Sequence, residues 1–305
     1  MAAATKPTTT LKTSLTHFFP PKPTFTDQNI PNNLSGKVYI VTGANSGMGH
    51  ELARILYARN AKVYAACRSQ EKAQQAITAI KKSSPQSQGE LIFLPLDLAD
   101  LTQIKTAATT FLSHESKLHI LFNNAGVMGP TGKTPPKTTQ GHELTLGVNC
   151  VGTFLFTKLL TPLLASTAKS EPTPGAVRVV WLSSYGLENY APFEQGIDMS
   201  NLDYTIPREG IDRYGVSKCG VWLLAVEYGR RFKDDGIVSV PINPGNLRTA
   251  LARDQSVVLK AFAHAIVYSA VHGVYTQLFA GFSEDVEIGK VDWTRDWGRF
   301  CLLSF

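Results

Sequence analysis

From Lys37 onward, the chain alternates short runs of β-branched and aromatic residues with longer segments whose apolar residues have helical spacing. This alternation predicts strands separated by helices. Helices are expected at 47–58 and 144–164, and strands at 38–41, 62–66, 91–94, 119–122, 177–182 and 237–242. Such chains form a parallel sheet that is buried on both faces, with a ligand crevice at the carboxyl ends of the strands. We therefore predict an α/β fold with a single doubly wound parallel sheet and helices on both faces.

Length and composition fit one large domain preceded by an arm. The chain has 305 residues, of which 43% are hydrophobic and 18% charged, and these values favour a single globular unit. Residues 1–35 are rich in Thr and Pro, which predicts an extended N-terminal arm, and residues 36–305 are expected to form the domain. We expect the segments 188–213 and 250–285 to form a small substrate lid, because long irregular insertions tend to be functional.

Charge, cysteine spacing and hydropathy argue against several classes of protein. The net charge is +6 but the basic residues are scattered, which argues against nucleic-acid binding. The four cysteines lie far apart, so neither a disulfide framework nor a metal site is predicted. The segment 261–282 is uncharged, but polar residues interrupt it, and we expect a partly buried helix and no transmembrane segment. The N-terminus lacks the apolar core of a secretory signal, which makes the cytoplasm the expected location.

A glycine-rich loop directly follows the first predicted strand. It reads Thr-Gly-Ala-Asn-Ser-Gly-Met-Gly over 42–49 and precedes a predicted helix. Glycines let the backbone turn and approach a pyrophosphate, whose charge is met by the amide groups and dipole of the helix start. Taken alone, the loop is also compatible with a purely structural turn. The residues predicted to bind a dinucleotide here are Gly43, Asn45, Ser46, Gly47, Met48 and Gly49.

The end of the second strand indicates which dinucleotide is bound. An NAD site presents a carboxylate to the ribose hydroxyl at this point, whereas this chain has Cys67 and Arg68. A guanidinium pairs well with a 2′-phosphate, so NADP(H) is the predicted cofactor; the alternative is that Arg68 is an ordinary solvated charge. The loops after the third and fourth strands supply further expected contacts, although each is also ordinary loop chemistry: Asp97, Leu98, Asn124, Ala125 and Gly126.

Tyr214 and Lys218 lie four residues apart where a helix is predicted to begin, so their side chains share one face. A free phenol has a pKa of about 10, and a neighbouring ammonium is expected to lower this pKa by stabilising the phenolate. Such a tyrosine can protonate a carbonyl oxygen as hydride arrives, or take the proton in reverse. Ser184 after the fifth strand and Asn149 in a long helix can converge on the same crevice. Without these partners, the Tyr-Lys spacing also occurs in plain surface pairs.

Taken in their order along the chain, these motifs resemble the short-chain dehydrogenase/reductase family. The match extends from Leu34 to about Thr249, and it implies a Rossmann-like fold. Within the family, the sequence Ala-Cys-Arg at 66–68 and the sequence Trp-Gly-Arg at 297–299 resemble the retinol-dehydrogenase-like branch and its soluble fungal relatives. The resemblance adds a set of cofactor contacts after the sixth strand: Pro244, Gly245, Leu247 and Thr249.

The resemblance implies a role for each matched residue. Tyr214 is the expected general acid and base, and Lys218 is expected to lower its pKa and to bind the nicotinamide ribose. Ser184 is expected to orient the substrate, since the catalytic serine comes second in a pair such as 183–184. Asn149 is expected to hold a proton-relay water, and Asn124 to pack near the adenosine ribose.

The resemblance thins after Thr249, so the substrate is predicted only by class. We expect a hydrophobic small molecule with a carbonyl or alcohol group, of the kind made in secondary metabolism. A homodimer through helices 144–164 and 214–231 stays open. One alternative function is a non-redox cyclase or isomerase that uses NADP(H) as a scaffold, and another is a nucleotide-sensing interaction protein. The nearby aromatic residues either line an apolar pocket or pack in the core: Trp181, Tyr185, Tyr190, Phe193 and Tyr204.

Overall fold

The computed structural model describes residues 22–130, 135–192, 195–245 and 270–289. In this part of the chain, parallel strands form a six-stranded sheet with the order β3-β2-β1-β4-β5-β6. The strands are β1 (Val38–Thr42), β2 (Lys62–Cys67), β3 (Glu90–Pro95), β4 (Ile120–Asn123), β5 (Val177–Leu182) and β6 (Ile237–Ile242). The helices are α1 (Gly47–Ala58), α2 (Gln70–Ser83), α3 (Leu101–His114), α4 (Leu144–Ser170), α5 (Gly186–Tyr190), α6 (Gly210–Phe232) and α7 (Ala270–Phe282).

Helices cover both faces of the sheet, which explains why its central strands are buried throughout. Along β1, Tyr39 and Val41 belong to one apolar cluster, and Val38 and Ile40 belong to another. Successive side chains of a strand point to opposite faces, so the two clusters are the two cores. The first core includes residues of α1, α2 and α7, and the second includes residues of α3, α4 and α6. The predicted Rossmann-like, doubly wound α/β fold is confirmed.

The direction of connection changes at β1, because β2 and β3 lie on one side of it and β4 lies on the other. Ligands of doubly wound sheets bind in the crevice at such a switch point, outside the carboxyl ends of the strands. The loop after β1 and the loop after β4 therefore form the centre of the expected site. The part of the predicted lid at 250–269 lies outside the described residues.

Two helix boundaries differ from the sequence predictions. Tyr214 does not open its helix: α6 begins at Gly210, with Glu209 as the N-cap residue, so Tyr214 lies in the second turn. The predicted helix 144–164 continues to Ser170 and contains a π-helical segment, Gly147–Gly152. π-helical turns are rare, and those that occur often lie at functional sites. This one includes Asn149.

The second half of the predicted arm packs on the domain. Ile30 and Leu34 are buried in the first core. The ring of Phe25 lies edge-on to that of Phe279 in α7, with 5.5 Å between the ring centroids. Apolar burial of this kind stabilises the packed chain, so residues 25–34 cover α1 and α7. Residues 1–21 lie outside the described part of the chain.

Helix α4 is long and apolar enough to cross a membrane by length and composition, the one such helix among the described residues. In the structure, its buried positions include Phe156, Leu160 and Leu164, which belong to the second core. A core helix explains the hydropathy of this segment. The apolar segment 261–282 is described from Ala270 onward, where it forms α7 against the first core.

A charge cluster around the buried side chains of Glu171 and His119 lies at the amino-terminal edge of the sheet, opposite the expected site. The carboxylate of Glu171, after α4, accepts hydrogen bonds from Lys37 and Lys117 and contacts His119 Nε2 at 3.3 Å. His119 Nδ1 in turn accepts a hydrogen bond from the amide of Val38. The hydrogen bond from Lys37 is the largest cause that holds the pKa of Glu171 at about 2, below its ordinary value of 4.5.

Replacing Glu171 with Gln tests this cluster. Because the pKa of Glu171 is lower in the folded chain, the charged carboxylate stabilises the fold above about pH 5, and this stabilisation is lost as the pH falls toward 2. We expect Glu171→Gln to lower the free energy of unfolding at pH 7 by roughly 2 kcal/mol, allowing for the half-exposed lysines. Urea unfolding at several pH values measures the difference, which should shrink below pH 4.

Glu227→Gln is the matched control for this prediction. Arg230 and Arg231 hold the pKa of Glu227 at about 2 as well, but this carboxylate lies on the exposed face of α6. Solvent screens exposed ion pairs, so the change in unfolding free energy should be much smaller. Equal effects of the two substitutions would contradict the account of the cluster.

Candidate active site

The glycine-rich loop connects β1 to α1 at the carboxyl edge of the sheet. Gly43 and Gly47 adopt φ angles of 71° and 57°, in the left-handed region that favours glycine. A Cβ atom on Gly49 would lie 2.5 Å from the carbonyl oxygen of Gly43 and 2.6 Å from Asn124 Nδ2. Lack of space therefore excludes a side chain at Gly49, and the backbone conformation favours glycine at Gly43 and Gly47.

The start of α1 is suited to a phosphate group. Ser46 is the N-cap residue in an extended conformation, but its side chain makes no capping hydrogen bond. The first turn of α1 contains no acidic residue. Amide groups at an uncapped helix start, together with the helix dipole, favour an anion. The glycine cradle and this helix start fit the pyrophosphate of a dinucleotide, and Asn45, Ser46 and Met48 lie within the same turn.

The loop after β4 is bonded directly to the loop after β1. Asn124 Nδ2 donates to the carbonyl oxygen of Thr42 at 2.8 Å, and the amide of Ala125 donates to Thr42 Oγ1 at 2.9 Å. Asn124 Oδ1 accepts a hydrogen bond from Gln277 Nε2 of α7 at 3.0 Å. The side chain of Asn124 thus braces the glycine loop.

The loops after β2 and β3 bring Arg68 and Asp97 to the same edge. Arg68 directly follows β2 and is exposed, and it forms no ion pair with the residues that the structure describes. Asp97 Oδ1 accepts a hydrogen bond from the amide of Ala99 at 2.9 Å. The N-cap of α3 is Asp100, whose side chain accepts from the amide of Thr102. Helix capping therefore does not account for Asp97, and Leu98 beside it is buried.

Tyr214 and Ser184 meet where α6 passes the end of β5. A Cβ atom on Gly186 would lie 3.4 Å from Ser184 Oγ and 3.5 Å from Cε1 of the Tyr214 ring, so the two side chains are neighbours. Ser184 Oγ also accepts a hydrogen bond from the amide of Gly186 at 3.1 Å. Ser183, by contrast, is buried and donates to the carbonyl oxygen of Lys218 at 2.8 Å. Of the two serines, Ser184 is the one beside the Tyr214 ring.

Lys218 lies one helical turn after Tyr214, inside the protein. Its Nζ donates to the carbonyl oxygen of Leu182 at 2.7 Å and lies 5.7 Å from the centroid of the Tyr214 ring. A Cβ atom on Gly126 would lie 3.1 Å from this Nζ and 3.2 Å from Asn149 Oδ1. Gly126 thus permits the close approach of both side chains. Burial lowers the pKa of Lys218 to about 8.

The pKa of Tyr214 in the structure lies above the ordinary value of a phenol. Burial raises the pKa of this phenol, and the hydrogen bond from Ser184 lowers it by less. The sequence expectation that Lys218 makes the phenol unusually acidic applies to the site beside a bound nicotinamide, and it stays a prediction. In the structure, the phenol loses its hydration on burial, and Lys218 Nζ donates to the carbonyl oxygen of Leu182. At neutral pH the group is therefore a protonated phenol.

Asn149 connects two segments of the site from within the π-helical turn. Its Nδ2 donates to the carbonyl oxygen of Val127 and to Ser217 Oγ, each at 2.9 Å, and its Oδ1 accepts from the amide of Val127 at 2.8 Å. Both amide hydrogens of the side chain are therefore used within the protein. Holding a relay water stays a prediction for this residue.

The segment after β6 is described only in part. The amide of Gly245 donates to Asn243 Oδ1 at 3.1 Å, and Gly245 has a φ of 79°. Pro244 lies between them in a tight turn at the carboxyl edge. Leu247 and Thr249, the predicted contacts to the nicotinamide, lie outside the described residues.

Sequence reasoning missed several residues that shape the site. Ser217 accepts from Asn149 and donates to the carbonyl oxygen of Tyr214 at 2.7 Å. Gln277 braces Asn124 from 153 residues away; its polarity within an apolar helix was the available signal. Glu143 and Arg213 form a buried ion pair beside the site. No local pattern in the sequence marks this pair.

Comparisons with known proteins agree with this geometry. The family model for short chain dehydrogenases matches residues 37–190. A short-chain dehydrogenase/reductase of Phomopsis amygdali is 50% identical over 299 residues, covering 96% of this chain and 88% of that protein. One from Neocamarosporium betae is 45% identical over 288 residues, covering 93% of this chain and 82% of that protein.

Two solved structures share the fold at low sequence identity. The RhlG complex with NADP from Pseudomonas aeruginosa has a TM-score of 0.63 and 21% identity, and the match covers 84% of this chain and 93% of that chain. The 3-ketoacyl-(acyl-carrier-protein) reductase of Brucella melitensis with NADH has a TM-score of 0.62 and 20% identity, with 83% and 93% covered. The chain belongs to the short-chain dehydrogenase/reductase family, whose members are oxidoreductases that use nicotinamide cofactors.

Proposed function

We propose that the chain is an NADP(H)-dependent oxidoreductase that reduces a carbonyl group on a hydrophobic small molecule, or oxidises the corresponding alcohol. One observation carries this proposal. The Tyr214 ring lies next to Ser184 Oγ and the buried Lys218 amine, at the sheet edge that also holds the glycine cradle. When a carbonyl group is reduced to an alcohol, its oxygen needs a hydrogen-bond donor and a proton donor, and these side chains can supply both.

Each side chain has a distinct task in this reaction. The nicotinamide, when bound, supplies or accepts the hydride. Ser184 donates a hydrogen bond to the carbonyl oxygen and orients it toward Tyr214. Tyr214 is a protonated phenol at neutral pH, because burial raises its pKa, and it donates its proton to that oxygen. The phenolate that remains is buried, and the charge of Lys218 stabilises it.

The proposed cofactor preference rests on Arg68. Arg68 stands at the end of β2, where a site that prefers NAD has a carboxylate. A carboxylate at this position would contact a ribose hydroxyl and repel a 2′-phosphate. The guanidinium of Arg68 is exposed at this edge and available to pair with that phosphate. Asp97 and Leu98 after β3 are proposed to contact the adenine. Asn124, Ala125, Gly126, Pro244 and Gly245 are proposed to surround the rest of the dinucleotide.

The proposed substrate is apolar. Trp181 and Tyr204 are buried in the second core, so they do not line an open pocket, and Phe193 lies outside the described residues. Tyr190 is 41% exposed and lies against Gly215, next to Tyr214 in α6, and Ile211 is 38% exposed in the first turn of the same helix. We propose that these exposed apolar side chains form part of the substrate pocket. The proposed substrate class is a compound of secondary metabolism, as expected from the sequence.

The proposed setting is a cytoplasmic homodimer. Phe154 of α4 is 37% exposed and Leu223 of α6 is 38% exposed. Large apolar side chains on the outer faces of these two helices are suited to a contact between copies.

Tyr214→Phe tests the catalytic assignment. Without the hydroxyl, no proton can be donated, so we expect kcat for reduction of apolar ketones by NADPH to fall by about 100- to 10,000-fold. Binding of NADPH, followed by its fluorescence, should persist. Tyr228→Phe is the control, because that phenol is buried in the core and bonded to Thr161. A Tyr214→Phe variant as active as wild type would contradict the proposal. Conversion of a substrate without any net change in nicotinamide absorbance would support an isomerase.

Arg68→Ala tests the cofactor preference. Loss of a charge-assisted contact to the 2′-phosphate is expected to raise the KM for NADPH about tenfold or more. The KM for NADH should hardly change, because NADH lacks that phosphate. Arg54→Ala, which removes a guanidinium bonded to Glu51 on α1, is the control. A parallel rise in both KM values would remove Arg68 from the assignment.

A further inference from the structure

Arg213 is a fully buried arginine that directly precedes Tyr214. Its Nε lies 3.5 Å from Glu143 Oε1, and the two side chains are 0% and 1% exposed. Its Nη1 donates to the carbonyl oxygen of Arg208, and its Nη2 donates to that of Pro130 at 3.2 Å. One guanidinium therefore contacts the loop after β4, the end of the irregular segment before α6, and the start of α4.

Glu143 fixes the start of α4 in the same place. It is the N-cap residue of this helix, and its carboxylate accepts hydrogen bonds from Leu146 N and Thr145 Oγ1, each at 2.8 Å. The π-helical turn with Asn149 begins immediately after this first turn. The carboxylate thus links Arg213 to the segment that carries Asn149.

Two ties join the same three segments. In the first, Asn149 of α4 bonds to Val127 of the loop after β4 and to Ser217 of α6. In the second, Glu143 of α4 meets Arg213 of α6, which bonds to Pro130 of that loop. The two ties lie on α6 to either side of Tyr214, at 213 and 217. Together they fix the first two turns of α6, which include Tyr214.

Glycine brings these segments into direct contact. A Cβ atom on Gly210 would lie 2.6 Å from the carbonyl oxygen of Pro130, and one on Gly129 would lie 3.0 Å from Thr145 Oγ1. The backbones of the loop and of the start of α6 therefore touch. Since the guanidinium is planar and has donors in a fixed fork, it holds this arrangement in one geometry.

Resting on the proposed function, we propose that Glu143 and Arg213 are positioning residues for the reaction. They hold the start of α6 against the loop after β4 and so direct the Tyr214 hydroxyl toward the carbonyl oxygen of the substrate. Neither side chain touches the reacting atoms. A buried ion pair is a poor device for stability alone, because an apolar pair of similar size serves as well. What it supplies here is a defined geometry between three backbone segments.

Arg213→Met and Glu143→Gln, alone and combined, test the proposal. Met keeps much of the volume of Arg213 and removes the donors. With benzil, an apolar aromatic diketone, and NADPH, we expect kcat of Arg213→Met to fall by about 100-fold, the effect of a misplaced group. The dissociation constant for NADPH should stay within about threefold of wild type. The combined variant should lose little more than either single one, because the pair acts as a unit.

Arg178→Met is the matched control. Arg178 is also buried, and it donates to the carbonyl oxygens of Gly175, Ala280 and Ser283, at the opposite edge of the sheet. This substitution should lower the melting temperature. At assay temperatures below that melting temperature, kcat should be unchanged. A folded Arg213→Met protein with the kcat of wild type, or a loss equal to that of Arg178→Met, would overturn the proposal.

Amide hydrogen exchange separates this proposal from the proposed function. If wild type reduces neither benzil nor other ketones, the proposed function fails. Exchange in residues 124–130 and 210–217 still reports on the ties, and it should rise in Arg213→Met and not in Arg178→Met. Unchanged exchange in these segments would overturn the positioning role by itself.

Discussion

The hydrogen bond from Lys218 Nζ to the carbonyl oxygen of Leu182 joins the end of β5 to the middle of α6. A second bond, from Ser183 Oγ to the carbonyl oxygen of Lys218, joins the same two elements in the opposite sense. Both lie in the protein interior, where hydrogen bonds are strong and unpaired groups are costly. Because Tyr214 is one turn before Lys218, these bonds set the height of its hydroxyl above the sheet edge and bring it to Ser184.

The strand order determines which loop lies beside Tyr214 and Lys218. β4 runs between β1 and β5, so the loop after β4 lies between the glycine loop and α6. That loop bonds to Thr42 on one side through Asn124 and to Asn149 on the other through Val127. Gly126, at its centre, leaves room for Lys218 and Asn149, whose side chains a Cβ atom there would contact tightly, at 3.1 and 3.2 Å. The glycine loop and Tyr214, the proposed proton donor, are thus parts of one hydrogen-bonded unit.

The strands could be predicted within about one residue, because central strands of a parallel sheet are apolar along their whole length. The site motifs could be predicted too, since a glycine loop after a strand and a Tyr-Lys pair one turn apart are local patterns. The direction of the Tyr214 pKa could not, because it is set by the burial of the phenol, which depends on the whole fold. The ties of Arg213 to Glu143 and Pro130 span 70 and 83 residues in sequence, and no local pattern encodes such contacts. The start of α6 at Gly210 has the same origin, because Gly210 is packed against Pro130.

The central claim is that a charged Lys218 stabilises the phenolate left when Tyr214 gives up its proton. The most direct test is the pH dependence of kcat for ketone reduction, in wild type and in Lys218→Arg. Since burial lowers the pKa of Lys218 to about 8, its charge is lost as the pH rises through this value, and the wild-type kcat should decline there. Arginine keeps its charge, so the Lys218→Arg variant should show no decline near pH 8, whatever its absolute rate. The same decline in both proteins, or none in wild type, would contradict the account.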